Sequence, residues 1–349
     1  MNAAPLPTRE IGRTGLRVCE LGVGAASLGN LFKQMSDGDA LATLTDALDQ
    51  GITYIDTAPY YGFGLSEHRV GEALRERRGI TVSTKVGRLL QPDASVDIHA
   101  ERFGYRSPMP FKPVFDYSYD GVLRSYEDSL QRLGLARVDI LYIHDIGART
   151  HGESNHFHFN ALTRGGGLRA LEQLRSSGAI GAFGVGVNEI DACHQVMDHA
   201  SLDVILLAGR YTLLEQHANT TLFPKCQSEG TSVVIGGPYN SGILATGVKR
   251  DGVVLYYDYA RAPADVVERV GAIEKICDQF GVPLAAAALQ FPLAHPAVAS
   301  IIPGLDHPRR VSQTLDLYKT AIPPELWTAL KAQGLIDEAA PIPCVAGTS

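Results

Sequence analysis

Cysteine is scarce. The five residues (Cys19, Cys193, Cys226, Cys277 and Cys344) are odd in number, far apart and without a CxxC pair. That excludes a disulfide framework and a cysteine metal knuckle, and it points to a reducing compartment, the cytoplasm. No apolar run reaches the roughly 18 residues of a membrane helix, so no membrane span is expected. The opening MNAAPLPTREIGRTGL lacks the apolar core of a secretory signal. A surplus of positive charge is missing too: the net charge is −7, which argues against broad binding to nucleic acid or an anionic membrane. Tryptophan occurs once, as Trp327, which leaves little for an indole-lined pocket around an apolar substrate.

What is present is a rhythm. The 349 residues are 45% hydrophobic and 20% charged, enough for a sizeable core without staples. Residues 8–11 and 16–19 flank Gly12-Arg13-Thr14-Gly15 and predict a hairpin. Eight apolar stretches follow, at 19–26, 52–58, 80–86, 138–144, 179–187, 203–208, 231–237 and 298–304. Helical patterns separate them, over 36–51, 66–78, 117–135, 166–178, 189–200, 215–229, 263–280 and 283–294. Two more, over 308–320 and 323–335, close the chain. Strands apolar on both faces suit a parallel sheet covered by helices. We read one α/β domain over 1–349: a (β/α)8 TIM barrel with a short N-terminal hairpin and an extra C-terminal helix. A doubly wound sheet is the competitor, but ELGVGAASLG (20–29) lacks the third glycine of a dinucleotide fingerprint. Long loops at 87–117, 145–165 and 237–262 follow strands three, four and seven, and they predict a walled site at the strands' C-terminal face.

Four ionisable residues mark that face. Asp56 and Tyr61 share the stretch GITYIDTAPYYGFGLSE (51–67), Lys85 closes ITVSTKV, and His144 closes VDILYIH. Alone, each is compatible with a solvated strand end or a turn cap. Together they suit proton transfer at a carbinol or carbonyl oxygen. A lysine cation near the phenol should favour phenolate, and Asp56 should keep that lysine charged. There is no nucleophile and no clustered metal ligand set.

These residues carry a resemblance. YIDTAPYYGFGLSEHRVGEAL and the order Asp, Tyr, Lys, His across strands two to four are similar to the signature and tetrad of the aldo-keto reductases, over roughly residues 8–335. The resemblance implies a nicotinamide cofactor extended across the barrel mouth and Tyr61 as general acid/base. It also implies that Asp56 and Lys85 tune Tyr61 and that His144 positions the substrate. By the same carry-over Asn188, Gly237 and Pro238 hold the nicotinamide end; Asn188 lacks the serine that usually precedes it, and Gly236 stands near the place of a stacking aromatic. Gly304, Leu305, Asp306 and Arg310 flank the adenosine end. There Gly304 and Leu305 replace two usual phosphate partners and Asp306 brings a carboxylate, which favours NAD over NADP; Asp306 as a helix cap is the plainer reading.

Tyr60, Phe63, Phe115, Tyr117 and Asp145 are the expected pocket residues. The loops resemble the aldose 1-dehydrogenase branch, with its L-fucose and L-galactose (and D-arabinose type) dehydrogenases, and imply oxidation of an anomeric hydroxyl to a lactone. Pyridoxal 4-dehydrogenase, an NADPH-dependent carbonyl reductase and a cofactor-holding regulatory subunit of potassium-channel type are the alternatives. The other expectations are a small sugar as the partner, a monomer or weak homo-oligomer, and no metal. His151, His156 and His158 are read as mobile loop histidines.

Overall fold

The computed structural model describes residues 6–249 and 252–343; Cys344 lies outside them. Eight parallel strands form the barrel: Val23–Gly24, Tyr54–Asp56, Thr81–Val86, Ile140–His144, Ala182–Val187, Val204–Ala208, Ser232–Gly236 and Val298–Ile302. Consecutive strands in this order are neighbours. The sheet closes where Leu21 bridges Ile301 and Gly24 bridges Gly304. The Gly22 and Gly24 amides donate across that seam to the carbonyls of Ile301 and Pro303. The first strand is far shorter than 19–26 because the chain must squeeze against strand eight here: a Cβ on Gly24 would lie 2.7 Å from the Ile302 oxygen.

Register puts the chemistry in one layer. Asp56 stands opposite Ser83, Lys85 opposite Tyr142, and His144 opposite Gly186. Below them Tyr54 shares its hydroxyl with Ser83 and Tyr142, both at 3.1 Å, so the barrel interior is packed and hydrogen-bonded rather than hollow.

Helices form where the spacing places them. Asp37–Asp49 starts on Ser36, whose side chain accepts from the Asp39 amide. Tyr119–Leu133 starts on Ser118 and ends at Gly134 in the left-handed conformation, burying Val122, Tyr126 and Leu133. The stretch 215–229 is two short helices, Ala218–Thr221 and Phe223–Glu229. Pro292 turns the end of 283–294 into a 3-10 segment. The N-terminal strands Thr8–Glu10 and Arg17–Cys19 pair antiparallel. They cover the barrel's lower end, where Arg9 reaches the Val298 carbonyl at 2.7 Å. The closing helix Pro324–Ala332 buries Trp327 completely, so the single tryptophan is core.

The long loops are structured. Residues 87–117 carry the antiparallel pair Arg88–Pro92 with Phe111–Phe115, and inside it Glu101–Arg102 with Tyr105–Arg106. Residues 145–165 hold the helices Ala148–His151 and Asn155–Thr163. Residues 237–262 hold Ile243–Thr246 and a hairpin of Tyr256–Tyr257 with Ala260–Arg261. Among the described residues no helix is long and apolar enough to cross a membrane.

Candidate active site

Asp56 and Lys85 are 1% and 2% exposed. The Lys85 ammonium donates to Asp56 Oδ2 at 2.6 Å and to the Thr57 carbonyl at 2.9 Å, while Ser83 donates to Asp56 Oδ1 at 2.7 Å. Burial pushes the Asp56 carboxyl up and the Lys85 ammonium down, and each partner opposes that shift in the other. Tyr61 follows on a turn pinned by two glycines. A Cβ on Gly29 would lie 2.5 Å from the Tyr61 carbonyl carbon, and one on Gly62 would lie 2.5 Å from the Gly29 oxygen. Only bare backbone lets the first loop press on the second this closely. The Tyr61 ring meets His144 edge-on at 5.9 Å, and Lys85 Nζ lies 4.7 Å from its centroid. The four residues expected from the sequence therefore converge at the barrel mouth.

Their electrostatics differ from expectation in one respect. The Tyr61 phenol is held well above its ordinary pKa, by burial first and by the Asp56 charge second. The Lys85 ammonium, committed to Asp56 and lying over the ring face, does not offset that rise. His144 is held well below the usual imidazole range by burial, then by the Arg88 and Lys85 charges. The site rests with a protonated phenol and a neutral imidazole.

Two expected pocket residues are not walls. Phe63 is fully buried, packed with Leu90 and Tyr105. Tyr117 is fully buried behind His144, donating to its carbonyl at 2.7 Å and reaching His151 Nε2 at 3.0 Å. Tyr60 is half-buried beneath the Arg88 guanidinium, 4.0 Å from its ring centre. Phe115 is 38% exposed, its ring parallel to that of Tyr117. Asp145 accepts from Arg88 at 2.5 Å.

The sequence reading missed how many aromatics gather here. Phe103 leans on Tyr60 and Phe63, Tyr105 meets Tyr60 edge-on, and Tyr259 reaches Phe32 at 6.4 Å. Phe32, Phe103 and Tyr259 are each more than half exposed. They come from three loops, with no local spacing to announce them. Arg88 did carry a signal, lying three residues past Lys85. The histidine run is helical, not loop. His156 and His158 are two apart on a helix and cannot share a face; His158 lies tilted against His151, ring centres 4.1 Å apart. Among the described residues no group of three or more metal-ligating side chains occurs.

The opposite side of the mouth is nearly bare. Gly237 has φ +56° and an added Cβ would meet nothing within 3.6 Å; at Gly304 the nearest atom would be Ser27 Oγ at 3.8 Å. Pro238 follows Gly237, and the Tyr239 hydroxyl beyond it is buried without a partner. Asn188 directly follows strand five, its carbonyl held by Arg210 at 2.8 Å. Arg210 and Arg149 both grip Asp258, which ties three loops together. Leu305 is a core side chain, and its carbonyl accepts from Ser27. Its side chain is therefore no cofactor contact. Asp306 does not cap the next helix; His307 does, accepting from the Arg309 amide. Asp306 pairs instead with Lys33 at 3.5 Å and Arg310 at 3.6 Å, which softens the repulsion of a phosphate expected from its carboxylate. A side-chain-free floor, an unpartnered buried hydroxyl and a basic helix N-terminus fit an extended dinucleotide.

A family model described as the aldo/keto reductase family matches residues 20–333. The chain is 47% identical over 337 residues to the pyridoxal 4-dehydrogenase of Microbacterium luteolum, covering 94% of this chain and 97% of that one. It is 39% identical over 334 residues to the D-threo-aldose 1-dehydrogenase of a Pseudomonas species, covering 92% and 96%. Among solved structures, a holo-form aldo-keto reductase from Bacillus halodurans superposes with a TM-score of 0.70 at 25% identity, covering 95% and 97%.

Proposed function

The chain belongs to the aldo/keto reductase family, and on that premise we propose that it oxidises the ring hydroxyl of a cyclic hemiacetal to a lactone. The observation that carries this is the aromatic rim of Tyr60, Phe103 and Tyr259 beside the tetrad. Flat, partly exposed rings suit a planar substrate. Pyridoxal is one: its aldehyde stands next to a hydroxymethyl group and closes to a five-membered hemiacetal. An aldose closes in the same way through its own hydroxyl. The reading thus joins the substrates named for the two relatives, with the rim favouring the aromatic one. The polar pair Arg88 and Asp145 keeps the sugar reading as second.

A bound nicotinamide supplies the hydride acceptor. Asn188, Gly237, Pro238 and Tyr239 would hold its carboxamide end, and Gly304, the Leu305 backbone, Asp306 and Arg310 its adenosine end. Tyr61 takes the hydroxyl proton as the carbonyl forms, while neutral His144 donates a hydrogen bond to the same oxygen. Burial that raises the Tyr61 pKa makes its phenolate a strong base but a rare one. Oxidation should therefore accelerate about tenfold per pH unit until that phenol titrates. Asp306 supports NAD, and the cations around it support NADP.

Initial rates with NAD and with NADP, on pyridoxal and on L-fucose, L-galactose and D-arabinose, test the reading. Growth of reduced cofactor with one of these, lowered about 10²–10⁴-fold in Tyr61→Phe, is the expected result. Full activity in Tyr61→Phe, or cofactor binding without turnover on any substrate, would sink it.

A further inference from the structure

We infer that Arg88 is a positioning residue that acts on His144 through Asp145, keeping His144 a neutral Nε2–H donor. The guanidinium and the imidazole meet the carboxylate at one atom. Arg88 Nη2 lies 2.5 Å from Asp145 Oδ2, and His144 Nε2 lies 3.5 Å from that same oxygen. The nearer donor takes the carboxylate, and His144 is left outside hydrogen-bond range of it.

Arg88 is built to stay there. Its side chain is 5% exposed, and the rings of Tyr60 and Phe115 lie 4.0 and 5.2 Å from the guanidinium carbon. Asp145 sits at φ +49°, a conformation rare for a residue with a side chain, directly after the strand that ends in His144. The other imidazole nitrogen completes the case. His144 Nδ1 is buried with no partner. A proton there would be an orphaned buried donor, so the neutral ring keeps its hydrogen on Nε2. Protonating His144 would create that orphan.

The groups facing His144 are Lys85 from strand three, Arg88 from the hairpin after it and Asp145 on its own chain. Tyr60 and Tyr61 come from the strand-two loop, and Tyr117 lies behind it. Asp56 bears on it only through Lys85. Of these, Asp145 is the anion next to the ring. Remove Arg88 and its Oδ2 is free to close on Nε2, turning the donor into an imidazolium locked to a carboxylate.

The test is a nitrogen-detected histidine titration of the ligand-free protein, with His144 assigned by His144→Gln. In the wild type His144 should stay neutral with its hydrogen on Nε2 from pH 8 to 5. In Arg88→Met its pKa should rise by about 1–3 units, and Arg88→Met with Asp145→Asn should bring it back. Arg88→Lys should resemble the wild type. If Arg88→Met does not fold, Arg88→Gln removes the charge and draws the shorter side chain back from Asp145 Oδ2, and it should give the same upward shift. A folded Arg88→Met or Arg88→Gln with an unmoved His144 overturns the inference. These readouts need no substrate. A second arm rests on the proposed function: kcat/KM of Arg88→Met should gain a new break between pH 5 and 8. An upward shift without that break would count against the reaction assigned to the site and leave the Arg88 inference standing.

Discussion

The two halves of the barrel mouth are made differently. Strands two to four, their loops and the helix Leu65–Leu74 hold the buried charge. Asp56, Glu67, Arg69, Lys85 and Arg88 are all buried, and each finds an opposite partner. Strands five to eight end in or lead into Asn188, Ala208, Gly236 and the Pro303–Gly304 step, where backbone is the main feature. The difference teaches a division of labour. Proton handling needs groups fixed to a fraction of an ångström, so it is bolted down by ion pairs and hydrogen bonds. On the proposed function, the open half is where a long dinucleotide would lie, with room and backbone polarity in place of side chains.

The first half breaks hardest. Lys85→Met leaves Asp56 buried and unpaired, so stability should fall by about 3–5 kcal/mol in denaturant melts. Adding Asp56→Asn should restore much of that loss but none of the activity. If the single variant is as stable as the wild type, the pair is not what locks this half.

The strand-eight side should break by gaining a charge below the mouth, where the chain enters that strand. His295 is its buried histidine among the described residues, held at a pKa of about 4 by burial. It is neutral when folded, and the unfolded chain protonates it below its ordinary value of 6.5. Its linkage therefore leaves stability intact above pH 6.5 and drains it as pH falls toward 4. His295→Gln should remove up to about 3 kcal/mol of that acid loss. Equal acid slopes for the two proteins would refute it.

Gly304→Val fills the open floor. Cofactor affinity should drop about tenfold, equivalent to about 1.4 kcal/mol, by fluorescence titration, with the melting curve unchanged. A loss of stability instead would mean that the glycine serves the barrel seam. Phe103→Ala should have the smallest effect. KM for pyridoxal should rise about two- to tenfold, with KM for aldoses unmoved. An equal rise for both would make the rim a general lid.

Legibility followed chain locality. The tetrad was readable because each member closes or directly follows an apolar strand, and strand ends share a face. Phe63 and Tyr117 were misassigned because adjacency along the chain says nothing about which way a ring turns. Phe63 turns into Leu90 and Tyr105, and Tyr117 fills the space above Gly87, where a Cβ would lie 2.2 Å from its ring.

The stretch 51–67 supplied a carboxylate and a phenol at a strand end, which point to proton transfer once Lys85 and His144 join them. The alternation of strand and helix determined the barrel that brings Lys85 and His144 to them. Only the tertiary structure decided the protonation states. Burial is a property of everything packed around a group, and it keeps Tyr61 protonated although a lysine lies 4.7 Å from its ring. Only the tertiary structure, too, brought Phe32, Phe103 and Tyr259 to one rim, because loops far apart in sequence meet solely where the barrel holds their ends.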